Sequence, residues 1–443
     1  MDNDTAYNQA LDYLYSFVDY SLKKSTELAK AVFNLERMRA LMVSLGNPEA
    51  KYPIIHVAGT KGKGSTCALI AAALQAAGYK TGLYTSPHLL DYAERIQIDS
   101  QAISHARLVE LVGKVRPHVA AIPQLTTFEI TTALAFLHFA QQGCEAAVIE
   151  VGLGGRLDAT NVVTPRVSVI TSLSYDHMAV LGNTLALIAG EKAGIIKTGI
   201  PVVSSPQTEE AAAVLEQVAG ERRAPLTIVG RDFLFTAGEQ SLDGQWLTVG
   251  EKREGDSHAE SVILRVPLLG RHQVVNAATA YAALKMSGLK ISSEAIRKGF
   301  AGVTWPCRFE IVRREPPVIL DSAHNQDSFE KLDQTLEDLF PGLPVILIFG
   351  SSEDKNVEAM LASLAKRLKL VLATRAVHPR AIEPESIIAS AERLGLRAEA
   401  VTPVQEALER ALHLAAEGGE IVLSAGSMFV TAEVKKAWEG LHQ

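Results

Sequence analysis

Ile54-Ile55-His56-Val57-Ala58-Gly59-Thr60-Lys61-Gly62-Lys63-Gly64-Ser65 decides how the rest of the chain reads. Its first four residues are a short apolar run, and Thr66 to Leu74 has the composition of a helix. A glycine-rich turn between strand and helix presents backbone N–H groups to an anion at the positive end of the helix. Lys61 and Lys63, set among three glycines, repel each other unless an anion lies between them. The segment therefore predicts a triphosphate cradle made by Gly62, Lys63, Gly64 and Ser65. Lys63 would reach the β- and γ-phosphates, and Ser65 or Thr66 would supply a hydroxyl. The literal Walker pattern is not met, because Val57 stands where its first glycine would be and Gly64 follows the lysine.

Outward from this turn, β-branched runs alternate with Ala-rich helical stretches. Ile54–Val57, Ala147–Val151, Val167–Thr171 and Pro201–Ser204 read as strands of a mainly parallel sheet covered on both faces. From about Leu226 to Val266 the pieces LTIVG, QWLTVG and SVILRV, with the turn signal Asp243-Gly244, suggest a small antiparallel addition. A helical pattern resumes over His272–Lys285, and Gly302-Val303-Thr304-Trp305-Pro306 then breaks it. The boundary is set there, giving domains 1–302 and 303–443. In the second, Val318–Leu320, Val345–Phe349, Leu370–Ala373 and Ile421–Ser424 alternate with helices at Ser328–Leu339 and Val404–Ala415, as in a Rossmann-like α/β domain.

A chain of 443 residues that is 47% apolar is long enough for two cores. Its formal charge of −7 weighs against nucleic acid as a partner, so an anionic substrate has to be held by local clusters. Cys67, Cys144 and Cys307 are far apart and lack metal-ligand spacing, which reads as buried reduced thiols. The N-terminus opens on acidic residues, and no apolar run reaches membrane-spanning length. A cytoplasmic protein without a membrane partner is expected.

Ser86, in Tyr84-Thr85-Ser86-Pro87-His88, would stand at a strand's carboxyl end, where open α/β sheets bind ligands. Its hydroxyl either ligates Mg²⁺ or belongs to a turn before Pro87. Glu150 ends the apolar run Ala147–Ile149, and an acid so placed needs a partner, either the Mg²⁺ of bound ATP or an arginine. Asp176-His177 follows another strand, Val167–Thr171, and would reach the same rim, although a lone histidine is more often an ordinary surface or core residue. Lys192, in Glu191-Lys192-Ala193-Gly194, reads by composition as a helix-surface cation.

GTKGKGS, YTSPHLLDYAERI, TTFEITTALAFLHF, VIEVGLGGRLDATN, DHMAVLGNTLALIAGEKAGIIK, WPCRFE, DSAHN and VLSAGSMFV occur in that order. Together they resemble the folylpolyglutamate synthase and dihydrofolate synthase family of the Mur ligase superfamily, over nearly the whole chain. The resemblance implies an ATP-dependent amide ligase that joins L-glutamate to dihydropteroate, to reduced folate, or to both through an acyl phosphate; a monomer is expected. It implies two Mg²⁺ sites using Ser86, Glu150 and His177, and carbamylation of Lys192. It assigns Asn276, Arg308 and Asp321 to ATP, and makes His324 a candidate on the glutamate side. It gives the pterin to Thr126, Thr127, Phe128, Glu129, Leu157, Asp158 and Ala159. Two departures stand out: Lys61 where relatives commonly carry Asn, and Cys307 where WPGRFE-like linkers carry Gly. A cell-wall Mur ligase would carry a UDP-binding domain before its phosphate loop, where only 58 residues precede Gly59. A monofunctional folylpolyglutamate synthase, or a non-catalytic nucleotide switch that keeps the cradle, are the remaining alternatives.

Overall fold

The computed structural model describes residues 3–19, 34–252 and 261–441. They form two compact units. One comprises the chain up to Gly238 with Trp246–Val266 and Gln273–Val303, and the other comprises Glu239–Gln245, Pro267–His272 and the chain from Thr304.

The first unit is built on eight strands: β1 (Ile54–Ala58), β2 (Thr81–Tyr84), β3 (Ile96–Ile98), β4 (Gln101–Ala102), β5 (Ala146–Glu150), β6 (Val167–Ile170), β7 (Val202–Ser204) and β8 (Leu226–Ile228). Their order is β4-β3-β2-β5-β1-β6-β7-β8. From β2 to β8 every neighbouring pair is parallel, and β3 and β4 are antiparallel additions at one edge. Every residue of β1, β5 and β6 is buried, as strands covered on both faces require. Helix Thr127–Gln141 is buried almost all round because it fills the layer over the sheet. Parallel strands end on the same side, so the residues after β1, β2, β5 and β6 share one rim.

Leu226–Ile228, expected in the antiparallel addition, instead pairs in parallel with β7 as the edge of the main sheet. Three β-prone residues cannot declare their partner, and here the preceding helix Glu209–Glu221 returns the chain to the start of β7's neighbour position. The separate three-stranded sheet contains only β9 (Phe233–Ser241), β10 (Gly244–Glu251) and β11 (Val262–Val266), in the order β11-β10-β9.

The second unit carries β12 (Glu310–Arg314), β13 (Pro317–Leu320), β14 (Val345–Phe349), β15 (Leu368–Ala373), β16 (Ala398–Ala400) and β17 (Ile421–Ala425), in the order β12-β13-β17-β14-β15-β16. All pairs are parallel except β12 with β13. Phe329 and Phe349 meet edge to face at 5.9 Å in its core.

Candidate active site

The turn after β1 leads into helix Lys63–Ala76 through Gly62, whose φ of 86° is left-handed. A Cβ at Gly62 would lie 2.2 Å from Asn276 Oδ1, so only glycine fits there. Thr66 N–H donates to Gly62 C=O at 2.9 Å, the first bond of the helix. The amides of Lys63, Gly64 and Ser65 therefore have no acceptor within the helix and point off its N-terminus. Thr60 and Lys61 differ: both N–H groups donate to Ser172 C=O at 3.0 Å, which ties the turn to the end of β6. The cradle thus begins at Gly62. Ser65 and Thr66 are both buried, and Thr66 Oγ1 has no hydrogen-bond partner among the described residues.

Lys192 is 4% exposed, which overturns its reading as a helix-surface cation. Its Nζ donates to Gly59 C=O at 2.9 Å, the same carbonyl that accepts from Lys63 Nζ at 3.3 Å. Burial, followed by the charge of Lys63, brings the Lys192 amine down to about 7, so near neutrality much of it is uncharged. What brings Lys192 indoors is packing of the loop after β5 on its helix. A Cβ on Gly194 would fall 2.4 Å from Arg156 Cα, and Arg156 N–H donates to Glu191 C=O at 2.7 Å.

Glu150 ends β5 and is 6% exposed. Its Oε2 accepts from Ser86 N–H at 3.1 Å, so the structure brings these two residues together. Between them they offer carboxylate and hydroxyl oxygen, the hard donors that suit Mg²⁺. His177 is exposed, with a left-handed φ of 48°. Its N–H donates to Asp176 Oδ1 at 3.0 Å, and its Nε2 lies 3.9 Å from that oxygen. Asp176 Oδ2 lies 3.3 Å from Lys61 Nζ, so the extra cation of the turn has a carboxylate beside it.

The segment Thr126–Glu129 is largely occupied with itself. Thr126 caps helix Thr127–Gln141 in a reciprocal box with Glu129, whose Oε2 accepts from Thr126 N–H at 2.7 Å and Thr126 Oγ1 at 2.8 Å. Glu129 also meets Arg37 Nε at 3.2 Å, and Thr127 Oγ1 donates to Leu14 C=O at 2.9 Å. Phe128 alone of the four is only half-buried, with its ring against the Gly152 backbone. Asp158 is likewise committed. It caps the short helix Ala159–Val162, its Oδ2 accepting from Leu153 N–H at 2.9 Å and its Oδ1 from Thr160 N–H at 3.0 Å and Thr160 Oγ1 at 2.5 Å. Burial raises its pKa, and those three bonds oppose the rise. Asp158, given to the pterin by the resemblance, is therefore first a strut of its own loop. Leu157 is half-buried and Ala159 is buried beside it.

Asn276 is buried on helix Arg271–Met286 and donates from Nδ2 to Gln273 Oε1 at 3.0 Å. In the second unit Asp321 accepts from Phe309 N–H at 2.8 Å and Ala323 N–H at 2.7 Å. Burial pushes its carboxyl up while Arg308 draws it down. Arg308 Nη1 donates to Cys307 C=O at 3.0 Å, and His324 Nδ1 lies 2.8 Å from Ser322 C=O. Cys307 is buried with a φ of 56°.

Two family models match the chain: the Mur ligase middle domain over residues 57–284 and the Mur ligase glutamate ligase domain over residues 307–428. The dihydrofolate synthase/folylpolyglutamate synthase of Bacillus subtilis is 36% identical over 454 aligned positions, covering 98% of this chain and 99% of the relative. The chain belongs to the Mur ligase family, in its dihydrofolate synthase/folylpolyglutamate synthase group. A Mycobacterium tuberculosis folylpolyglutamate synthase complexed with ADP and AMPPCP superposes with a TM-score of 0.88 at 32% identity, over 99% of both chains. Escherichia coli FolC in complex with DHPP and ADP gives a TM-score of 0.84 at 31% identity, over 99% of this chain and 98% of the other.

Within this Mur ligase the structure brings Ser86 to Glu150 and Asn276 to Gly62, residues that the sequence names separately. Ser172 and Gln273 carry no sequence signal of their own, and Asp176 is marked only through its place beside His177 on the rim. The Asp176 carboxylate faces Lys61, one of three lysines around the turn. Ser172 contributes only a main-chain carbonyl, which no side-chain pattern signals.

Proposed function

We propose that this chain is an ATP-dependent acid–amino-acid ligase that joins L-glutamate to dihydropteroate, to reduced folate, or to both. The observation that carries the reading is Lys192, a buried amine with a strongly lowered pKa beside the phosphate turn. The nucleotides and DHPP named with the similar structures support the substrate classes.

A carboxylate resists attack by an amine because it repels the nucleophile and has no leaving group. Transfer of the γ-phosphoryl group of ATP to the pterin-acid carboxylate gives an acyl phosphate and ADP. The amine of glutamate then attacks the acyl carbon, and the C–O bond to phosphate breaks. Position and charge neutralisation supply most of the catalysis in such a transfer. Lys63 and the amides from Lys63 to Ser65 hold the phosphates, while Asn276 fixes Gly62 against its own helix. The lone pair of neutral Lys192 Nζ adds to CO₂ and one N–H proton leaves, which turns a cation into a carbamate anion. Ser86, Glu150, His177 and that carbamate would hold Mg²⁺ at two sites, which supplies positive charge along the phosphates when bound. Arg308 and Asp321 are assigned to the nucleotide, His324 to glutamate, and Phe128 with Leu157, Asp158 and Ala159 to the pterin. The catalytic unit is a monomer in the cytoplasm; among the described residues no helix is long and apolar enough to cross a membrane. The domain division is proposed at 302/303.

Purified protein with ATP, Mg²⁺ and glutamate is offered dihydropteroate and tetrahydrofolate in parallel, with products resolved by mass. Release of ADP only when a pterin acid and glutamate are both present is the expected result. ADP release that depends on neither would return the chain to a nucleotide switch.

A further inference from the structure

His56 stands in the middle of β1, fully buried among Ile54, Ile55, Val57 and Ala58. Its Nε2 lies 2.8 Å from Thr160 Oγ1, and Thr160 Oγ1 donates onward to Asp158 Oδ1 at 2.5 Å. A hydroxyl has one proton, and here the carboxylate takes it. The histidine must then donate from Nε2, which leaves Nδ1 as a bare lone pair, and Nδ1 has no hydrogen-bond partner among the described residues. Burial holds the ring neutral, with a pKa brought down to about 3. The direction of the chain is therefore fixed: His56 Nε2–H to Thr160 O–H to the Asp158 carboxylate.

A leucine or isoleucine at position 56 would fill the strand without stranding a buried polar atom, and an unpaired buried acceptor is unfavourable. The one thing the imidazole adds is its donated hydrogen bond. Asp158 in turn holds Leu153 N–H and caps Ala159–Val162, so it shapes the loop from Gly152 to Asp158 whose backbone receives the Phe128 ring. Three residues beyond His56, β1 has become the phosphate turn at Gly59.

We propose that His56 is a positioning residue for the acid substrate, orienting the Gly152–Asp158 loop through Thr160 from the strand that carries the phosphate turn. The inference rests on the reading of that loop as the pterin wall. His56 touches neither substrate, and its effect is on how well the wall is formed when the pterin acid arrives.

The test uses the full chain, with ATP and dihydropteroate or tetrahydrofolate, whichever the wild type accepts. Wild-type protein that shows no ligation with either acid removes the functional reading itself, whatever the variants do. With an active wild type, His56→Leu and Thr160→Val should each raise the KM for the pterin acid about tenfold, the scale of one lost buried hydrogen bond. The KM for ATP should stay within about twofold. His56→Gln, whose amide N–H reaches as far as Nε2, and Thr160→Ser, which keeps the hydroxyl, should recover most of the loss. The double variant His56→Leu/Thr160→Val should be no worse than either single one, because both break the same chain. Equal rises in both KM values, a glutamine variant as impaired as leucine, or a lowered Tm with unchanged kinetics would each overturn the proposal. If His56→Leu does not fold, the valine and serine variants at position 160 decide the same question.

Discussion

Around the phosphate turn, the side chains of Lys63 and Lys192 each make one hydrogen bond among the described residues, both to Gly59 C=O. In the loop after β5, by contrast, Asp158 alone accepts three, and Thr126 and Glu129 close a reciprocal box nearby. The first region keeps its charges available for a ligand and takes its shape from the backbone. The second spends its polar groups on itself and leaves an aromatic face outward. Substitution should therefore separate rate from folding in the first region and confound them in the second.

The sharpest break is Lys63→Ala, which should reduce turnover by about 10²–10³ with little change in Tm, since one preorganised charge is lost and no core contact goes with it. Steady-state kinetics beside a melting curve checks this, and near-normal turnover in a folded variant would misplace the phosphate site. Next is Lys192, where alanine and arginine should both lose about 10² in kcat, since neither forms a carbamate. Small carboxylic acids should partly restore the alanine variant. The sign of the pH effect follows from the depressed pKa: the neutral amine that takes up CO₂ grows as pH rises through about 7. A carbamate carbon signal from labelled bicarbonate should rise over that window in wild type and be absent from the alanine variant. A fully active arginine variant would reduce Lys192 to a cation.

Glu150→Gln keeps the shape and removes the charge, so the Mg²⁺ needed for half-maximal turnover should rise about tenfold. Coincident Mg²⁺ titrations would make Glu150 a structural acid. The smallest effects sharpen the second region. Phe128→Ala should raise the KM for the pterin acid about tenfold while Tm changes little, because its ring is partly exposed. Asp158→Ala should instead destabilise the fold by about 1–3 kcal/mol through orphaned donors, read as a lowered midpoint in denaturant. An Asp158→Ala protein of unchanged stability that lost pterin binding alone would restore the carboxylate to a ring-reading role.

Strand existence and the glycine turn were plain in the sequence because burial on both faces leaves uninterrupted β-branched runs and because glycine spacing is local. The burial of Lys192 was not plain. It arises from the approach of Gly194 to Arg156, nearly forty residues upstream, and no property of Glu191-Lys192-Ala193 announces it. Leu226–Ile228 joins the main sheet, not the antiparallel one its composition suggests, for the same reason: its partner β7 is chosen by the intervening helix and not by its own three residues. Asp158 shows the converse, since its type and position were noticed while its use was set by Leu153 and Thr160.

Cys307 occupies a left-handed backbone position, which resolves why a glycine is expected there. A side chain in that conformation costs about 1–2 kcal/mol. Glycine avoids the clash, yet gives up about 0.5–1 kcal/mol in chain entropy and loses the apolar contact of a fully buried thiol. The two residues thus come out nearly even, so Cys307→Gly should leave Tm almost unchanged.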